Sequence, residues 1–214
     1  MDPLETLGLD LLQRVFKFLT PQTLAVASLV SSGWRAAADA DTLWVANCTS
    51  AWQHKVYIPA AGRLDLTFKQ RYVEAELDAA RTELQAKELC AFRWGFRFKE
   101  AAGAFWTAQD PFWSEGDRSS RSLMQRLFLA NGSVCAPPDD PIFGDHERQW
   151  RFTKSKGGKP GHFIQINHWP SLITERLLDG GWRMQNEWVV YEAVLKPGGP
   201  YSRGIGHVQG TWLA

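Results

Sequence analysis

The sequence predicts an α+β protein, with a three-helix module and a linker helix followed by a mostly antiparallel β-barrel or sandwich domain. Three observations carry that prediction. Apolar residues recur on a 3.6-residue period as far as Leu89, and on a period of two from Phe92 onward. Clusters of Gly, Pro, Asn and Asp cut the second half into short segments. Eight of the 11 Trp residues fall after residue 90, so the halves also differ in composition.

In LDLLQRVFKFL, Leu11, Leu12, Val15, Phe16 and Leu19 form one apolar stripe of a first helix. Thr20-Pro21 restarts the chain as a helix, with Thr20 as N-cap and Pro21 at the first helical position. Leu24, Ala27, Val30 and Trp34 follow, interrupted near Ser31-Ser32-Gly33, and Asp41 is placed to cap a third helix holding Leu43 and Trp44. Pro59-Ala60-Ala61-Gly62 then separates this module from a long helix over 64–89, striped by Leu66, Val73, Leu77, Ala80 and Leu84. The expected division is 4–55 for the front module, 56–91 for the linker and 92–214 for the β domain.

Phe92, Trp94, Phe96 and Phe98 alternate with Arg93, Gly95, Arg97 and Lys99, the pattern of a half-buried strand with an aromatic core face. Further strands are expected at Leu127–Leu129, Trp150–Thr153, His162–Asn167, Trp188–Leu195 and Ile205–Trp212. Asn131-Gly132, between RLFLA and SVC, is a hairpin signal. The 137–141, 156–160 and 196–200 runs supply the other turns.

A net charge of +1 gives no general pull toward nucleic acid or acidic membrane. Cys48, Cys90 and Cys135 are odd in number, far apart and without a CxxC pair, which fits a reducing compartment. MDPLETLGLD has neither the basic region nor the apolar stretch expected of a signal peptide, and no apolar run approaches membrane-spanning length. The Asn47 and Asn131 sequons therefore read as chance matches, and a cytoplasmic or nuclear location is expected.

The ordered set Leu7-Gly8, Leu11, Leu12, Val15-Phe16, Leu19, Leu24, Val30, Trp34-Arg35, Asp41 and Leu43-Trp44 closely resembles the F-box. Its departures are Gly8 where Pro is usual and Ser31 where Cys is common. The resemblance implies docking on the Skp adaptor, and through it on a cullin, by Leu7, Leu11, Leu12, Val15, Phe16, Leu19, Leu24, Val30, Trp34, Leu43 and Trp44. It also implies a non-catalytic subunit of a Skp–cullin–F-box ubiquitin ligase that recruits a protein substrate. WGFRFKEAAGAFWTAQDPFW, PDDPIFGDHERQW, FIQINHWPSL and GGWRMQNEWVVYEAV resemble the Trp-rich C-terminal domain of a plant and green-algal F-box group. RLFLANGSV is similar to a hairpin of fungal and animal F-box-only proteins.

No Ser, Cys or His sits in a nucleophile motif, and the histidines have no metal-ligand spacing, so neither catalysis, metal nor cofactor is expected. Trp106, Phe112, Trp113, His168 and Trp169 lie outside the strand alternation, in loops of the kind that carry recognition. With Arg97 on the basic strand face, they are the candidate substrate-binding residues. The rival from another class is a small-molecule-binding barrel that carries an F-box for assembly or sensing.

Overall fold

The computed structural model describes residues 3–114, 123–138, 140–144, 146–153 and 163–195. Its helices are α1 (Pro3–Phe16), α2 (Pro21–Ala27), α3 (Ser32–Ala38), α4 (Asp41–Trp52), α5 (Phe68–Ala79) and α6 (Ala86–Ala91). The front module therefore has four helices where three were expected. Gly8 breaks α1 with φ +74 and ψ 166. Proline's ring fixes φ near −65°, so this backbone calls for glycine at the position where the family usually has proline.

Local chemistry sets most boundaries. The Thr20 hydroxyl accepts from Thr23 N at 3.2 Å, with Pro21 opening α2, and Ser31 caps α3 by accepting from Trp34 N at 3.2 Å. Asp41 does not cap α4. Its Oδ1 accepts instead from Phe68 N at 3.2 Å, stitching α4 to α5. The expected 64–89 helix is two helices. A capping box of Thr67 and Gln70 starts α5, and Gln85 N donating to the Glu88 carboxylate at 3.1 Å restarts the chain at α6. Val73 and Leu77 of the expected stripe are exposed, because α5 packs through Arg71, Phe68 and Tyr72.

Leu12, Phe16, Leu24, Ala27, Ala37, Ala38, Leu43 and Trp44 form the helical core. Trp44 satisfies its indole N–H on Ala38 O at 2.8 Å, as a buried donor must.

The second half is a closed antiparallel barrel of β1 (Phe92–Phe98), β2 (Met124–Phe128), β3 (Ser133–Cys135), β4 (Arg148–Thr153), β5 (Phe163–Ile166), β6 (Leu172–Arg176), β7 (Trp182–Gln185) and β8 (Val189–Leu195). Each strand pairs with the next, and β8 returns to β1, from Phe92↔Leu195 to Phe98↔Val189. All four aromatic residues of β1 are buried, as their alternation predicts. At Asn131-Gly132, only Gly132 takes a positive φ (+91), while Leu129 N donates to Ser133 O and Gly132 N to Leu129 O. That is a type I turn with a glycine bulge. β6 and β7 were not expected, and the proposed Ile205–Trp212 strand and the 156–160 and 196–200 turns lie outside the described residues.

The barrel has two different ends. The β6–β7 turn meets the helices: Val56 N donates to Asp179 O at 2.7 Å. Gly180 runs at φ +84 so close to Tyr57 that a Cβ there would sit 2.5 Å from the Tyr57 carbonyl oxygen. Beside this joint Asp78 of α5 grips Arg81 and Arg176, and Arg81 clamps the buried carboxylate of Glu88, which also accepts from the Tyr57 hydroxyl at 3.2 Å. The Arg176 guanidinium also lies 4.8 Å from the Trp182 ring centroid. The opposite end gathers the end of β1, the β5–β6 and β7–β8 turns and the Asp140–Gly144 segment.

Candidate functional site

At that free end the interior is not filled. A cavity of about 300 Å³ opens among Phe96, Phe98, Tyr191, Trp106, Trp169 and Trp188, with Ile142, Ile166, Leu172, Val189 and Asn186 among its other walls. Among the described residues no Asp, Glu, Lys, Arg or His lines it.

Each rim indole is held by its own loop. Asn167 takes a left-handed φ of +49, and its side chain accepts from Gln149 N at 2.7 Å, pinning the β5–β6 turn that carries Trp169. Asn186 accepts from Trp188 N at 2.9 Å and from Val189 N at 3.0 Å, and donates to Pro170 O at 3.1 Å, so it ties two rim turns together. Trp106 lies in the Ala104–Thr107 helical turn, its ring 5.4 Å from that of Phe98. Lys99 locks the end of β1 to the β7–β8 turn through Gln185 Oε1 at 2.8 Å and Asn186 O at 2.7 Å.

Behind the cavity wall lies a buried ion pair of Arg126 with Asp140, whose other oxygen accepts from Ile142 N and Phe143 N at 2.9 and 2.8 Å. The Arg126 guanidinium stacks 4.7 Å from Phe96 and 4.3 Å from Phe143. Arg148 lies 5.5 Å from the other neighbour of this stack, Phe143, and 5.6 Å from Trp169. Burial lowers the Arg126 pKa and raises that of the Tyr191 phenol.

The six candidate substrate-binding residues divide. Trp106 and Trp169 do line the cavity, while Arg97, Phe112, Trp113 and His168 do not. Arg97 stacks on Phe112 at 4.8 Å. Trp113 donates to Phe98 O at 2.9 Å, and Asp110 accepts from Phe98 N at 2.6 Å and Phe112 N at 3.0 Å, so this segment terminates β1. His168 is exposed at the turn tip. Trp188, Asn186 and Tyr191 were missed as site residues, since each sits within or beside an ordinary strand pattern.

The residues expected to meet an adaptor divide as well. Leu12, Phe16, Leu24, Leu43 and Trp44 are interior, and Leu19 and Trp34 are partly buried against them, so these seven support a surface where contact was expected. The Leu7 side chain lies outside the described residues. Leu11 and Val15 are 48% and 52% exposed, and Phe18, missed earlier, is 90% exposed. Leu11 and Val15, four positions apart, share one face of α1, and Phe18 follows in the turn just beyond it. Leu29 and Val30, just after α2, add further exposed apolar area. Together these side chains form an exposed apolar patch.

An F-box-like family model matches residues 6–50. No curated protein and no solved structure matches the chain. F-box domains bind the Skp adaptor in general and are typically non-catalytic adaptors. The family match stops short of the barrel, so the Trp-rich likeness of residues 92–195 has no support beyond resemblance. Among the described residues no helix is long and apolar enough to cross a membrane.

Proposed function

We propose that this chain, an F-box protein by its residues 6–50, is the substrate receptor of a Skp–cullin–F-box ubiquitin ligase. In this reading residues 4–55 dock on the Skp adaptor, 56–91 fix the geometry and 92–214 capture a protein substrate at the barrel's open end. It works by proximity: holding a substrate near the ubiquitin-charged enzyme raises the effective concentration of its lysines. Such an assembly operates in the cytoplasm, the nucleus or both. The observation that carries this reading is the F-box-like match over a helical module whose outward face bears Leu11, Val15 and Phe18. The buried joint around Asp78, Arg81 and Arg176 supports it further, because a receptor that presents lysines needs a fixed link between its two ends.

Co-purification with the Skp adaptor tests this. The wild type should bind, and a Val15→Asp/Phe18→Asp variant should lose binding while its far-UV circular dichroism stays unchanged, since both side chains already face solvent. Absence of wild-type binding, or full binding by the variant, would overturn the docking role. A second reading, a barrel that holds a small neutral molecule with the F-box serving assembly or sensing, rests on the aromatic cavity. It predicts that the chain copurifies with, or is stabilised by, such a molecule in the absence of any protein substrate.

A further inference from the structure

The aromatic cavity has an electrostatic character that its lining residues alone do not reveal. Rings that line a pocket usually suit a cation, because their faces are electron-rich and attract an ammonium or quaternary ammonium group. Here two of the rings are already engaged by cations. Arg126 lies 4.7 Å from the Phe96 centroid, and Arg148 lies 5.6 Å from that of Trp169. Neither arginine lines the cavity, so each guanidinium stands outside it, beside its ring. A cation entering the cavity would meet rings that guanidinium groups already engage at 4.7 and 5.6 Å, although the Arg126 charge is offset by its Asp140 partner. It would also find no carboxylate among the described walls. An anion fares no better, because the described walls carry no Arg, Lys or His, and the Asn186 amide already uses its oxygen on Trp188 N and Val189 N and one of its two N–H groups on Pro170 O.

Size narrows the occupant further. About 300 Å³ lies at the bottom of the range of about 300–1,000 Å³ for small-molecule sites. That room suits one ring or one branched aliphatic group. The half-exposed indoles of Trp106, Trp169 and Trp188 continue the apolar surface past the opening, where a chain flanking the inserted group would lie.

We infer that the barrel mouth seats a single uncharged aromatic or branched aliphatic side chain of a substrate protein, and that Arg126 and Arg148 make it reject cationic groups of the same shape. The inference rests on the receptor reading for the source of that side chain. The charge selectivity itself is a property of the isolated chain and is measured without the adaptor.

An isosteric pair provides the test. 3,3-Dimethyl-1-butanol and choline differ in that a quaternary carbon in one is a quaternary nitrogen in the other. Both are titrated into the full chain, followed by tryptophan fluorescence and by NMR line broadening of the probe. The neutral probe should bind at least about tenfold more tightly than choline. Trp106→Ala should weaken the neutral probe, with circular dichroism verifying its fold. Arg148→Gln should narrow the gap by raising choline affinity, an effect a merely structural arginine would not produce. N-acetyl-leucine amide should then compete with the neutral probe where N-acetyl-lysine amide does not. Equal or tighter binding of choline would overturn the inference, as would binding of neither probe. Competition by the alcohol alone, with both amino-acid amides inert, would overturn the side-chain assignment in favour of a free small ligand. Loss of adaptor binding in the separate co-purification would sink the receptor reading and leave the charge selectivity standing.

Discussion

Replacing Gly180 with alanine attacks the place where helices and barrel meet. Gly180 has φ +84, and a Cβ added there would stand 2.5 Å from Tyr57 O, 3.6 Å from Tyr57 C and 3.8 Å from Tyr57 N. All three are backbone atoms, so no side chain can swing aside. An L-residue forced into the left-handed region costs about 1–2 kcal/mol. Moving the turn away from Tyr57 also strains the Val56 N to Asp179 O bond of 2.7 Å, and losing it costs about 1 kcal/mol more. The sum is about 2–3 kcal/mol, a drop in unfolding midpoint of about 4–12 °C for a chain this size. Gly144→Ala is the control, because Gly144 also has a positive φ (+53) but nothing lies within 4 Å of an added Cβ. Thermal melts of the three proteins, with hydrogen exchange at the Val56 amide, separate the two contributions. Only Gly180→Ala should expose Val56. Equal destabilisation by both variants with Val56 still protected would refute the close approach.

Two other measurements probe buried chemistry. Burial raises the pKa of Glu88, but hydrogen bonds from Arg81, Gln85 N and Tyr57 outweigh it and hold the carboxyl below its ordinary value. Its stabilising contribution is thus complete above the unfolded pKa of about 4.3 and disappears as pH falls through the lower folded value. Thermal melts between pH 5 and pH 2 (on the order of that window) should fall less steeply in Glu88→Gln than in wild type, and identical slopes would contradict the assignment. Burial pushes the Cys48 thiol up to about 12, whereas Cys135 is exposed. A thiol reagent at neutral pH should label Cys135 quickly and Cys48 only on unfolding, as mass spectrometry of the labelled peptides would show.

The change from a 3.6-residue to a two-residue period was legible because long segments repeat it, and β1 exposes its whole core face in seven letters. β6 and β7 escaped notice because they are short and balanced by charge. Leu172 and Trp182 point inward, while Glu175 and Arg183 pair across the two strands on the outside. A stretch such as LITER carries too few inward residues to declare a period. The break between α5 and α6 follows from tertiary demand, since Asp78, Arg81 and Glu88 must converge on Arg176 and Tyr57. Heptad spacing had no knowledge of those partners. The F-box pattern named interior residues such as Leu12, Phe16 and Trp44 together with exposed ones, Leu11, Val15 and Val30, because the spacing of large apolar letters does not separate those that pack from those that face solvent, and Phe18 lies outside the pattern. The cavity was half legible: loop indoles pointed to Trp106 and Trp169, while Trp188 and Tyr191 became neighbours of these only when β8 closed on β1.

That closure also orders events during synthesis. Phe92 and Leu195 are partners about a hundred positions apart, and a ribosome needs about 5–20 s to supply the intervening chain. Through that interval the helices of residues 6–50 have every partner they need, while the aromatic face of β1 waits for β8. The nascent chain therefore carries a finished helical module well before it has a mouth, and the long-range pairing that completes the barrel is expected to be its slowest structural step.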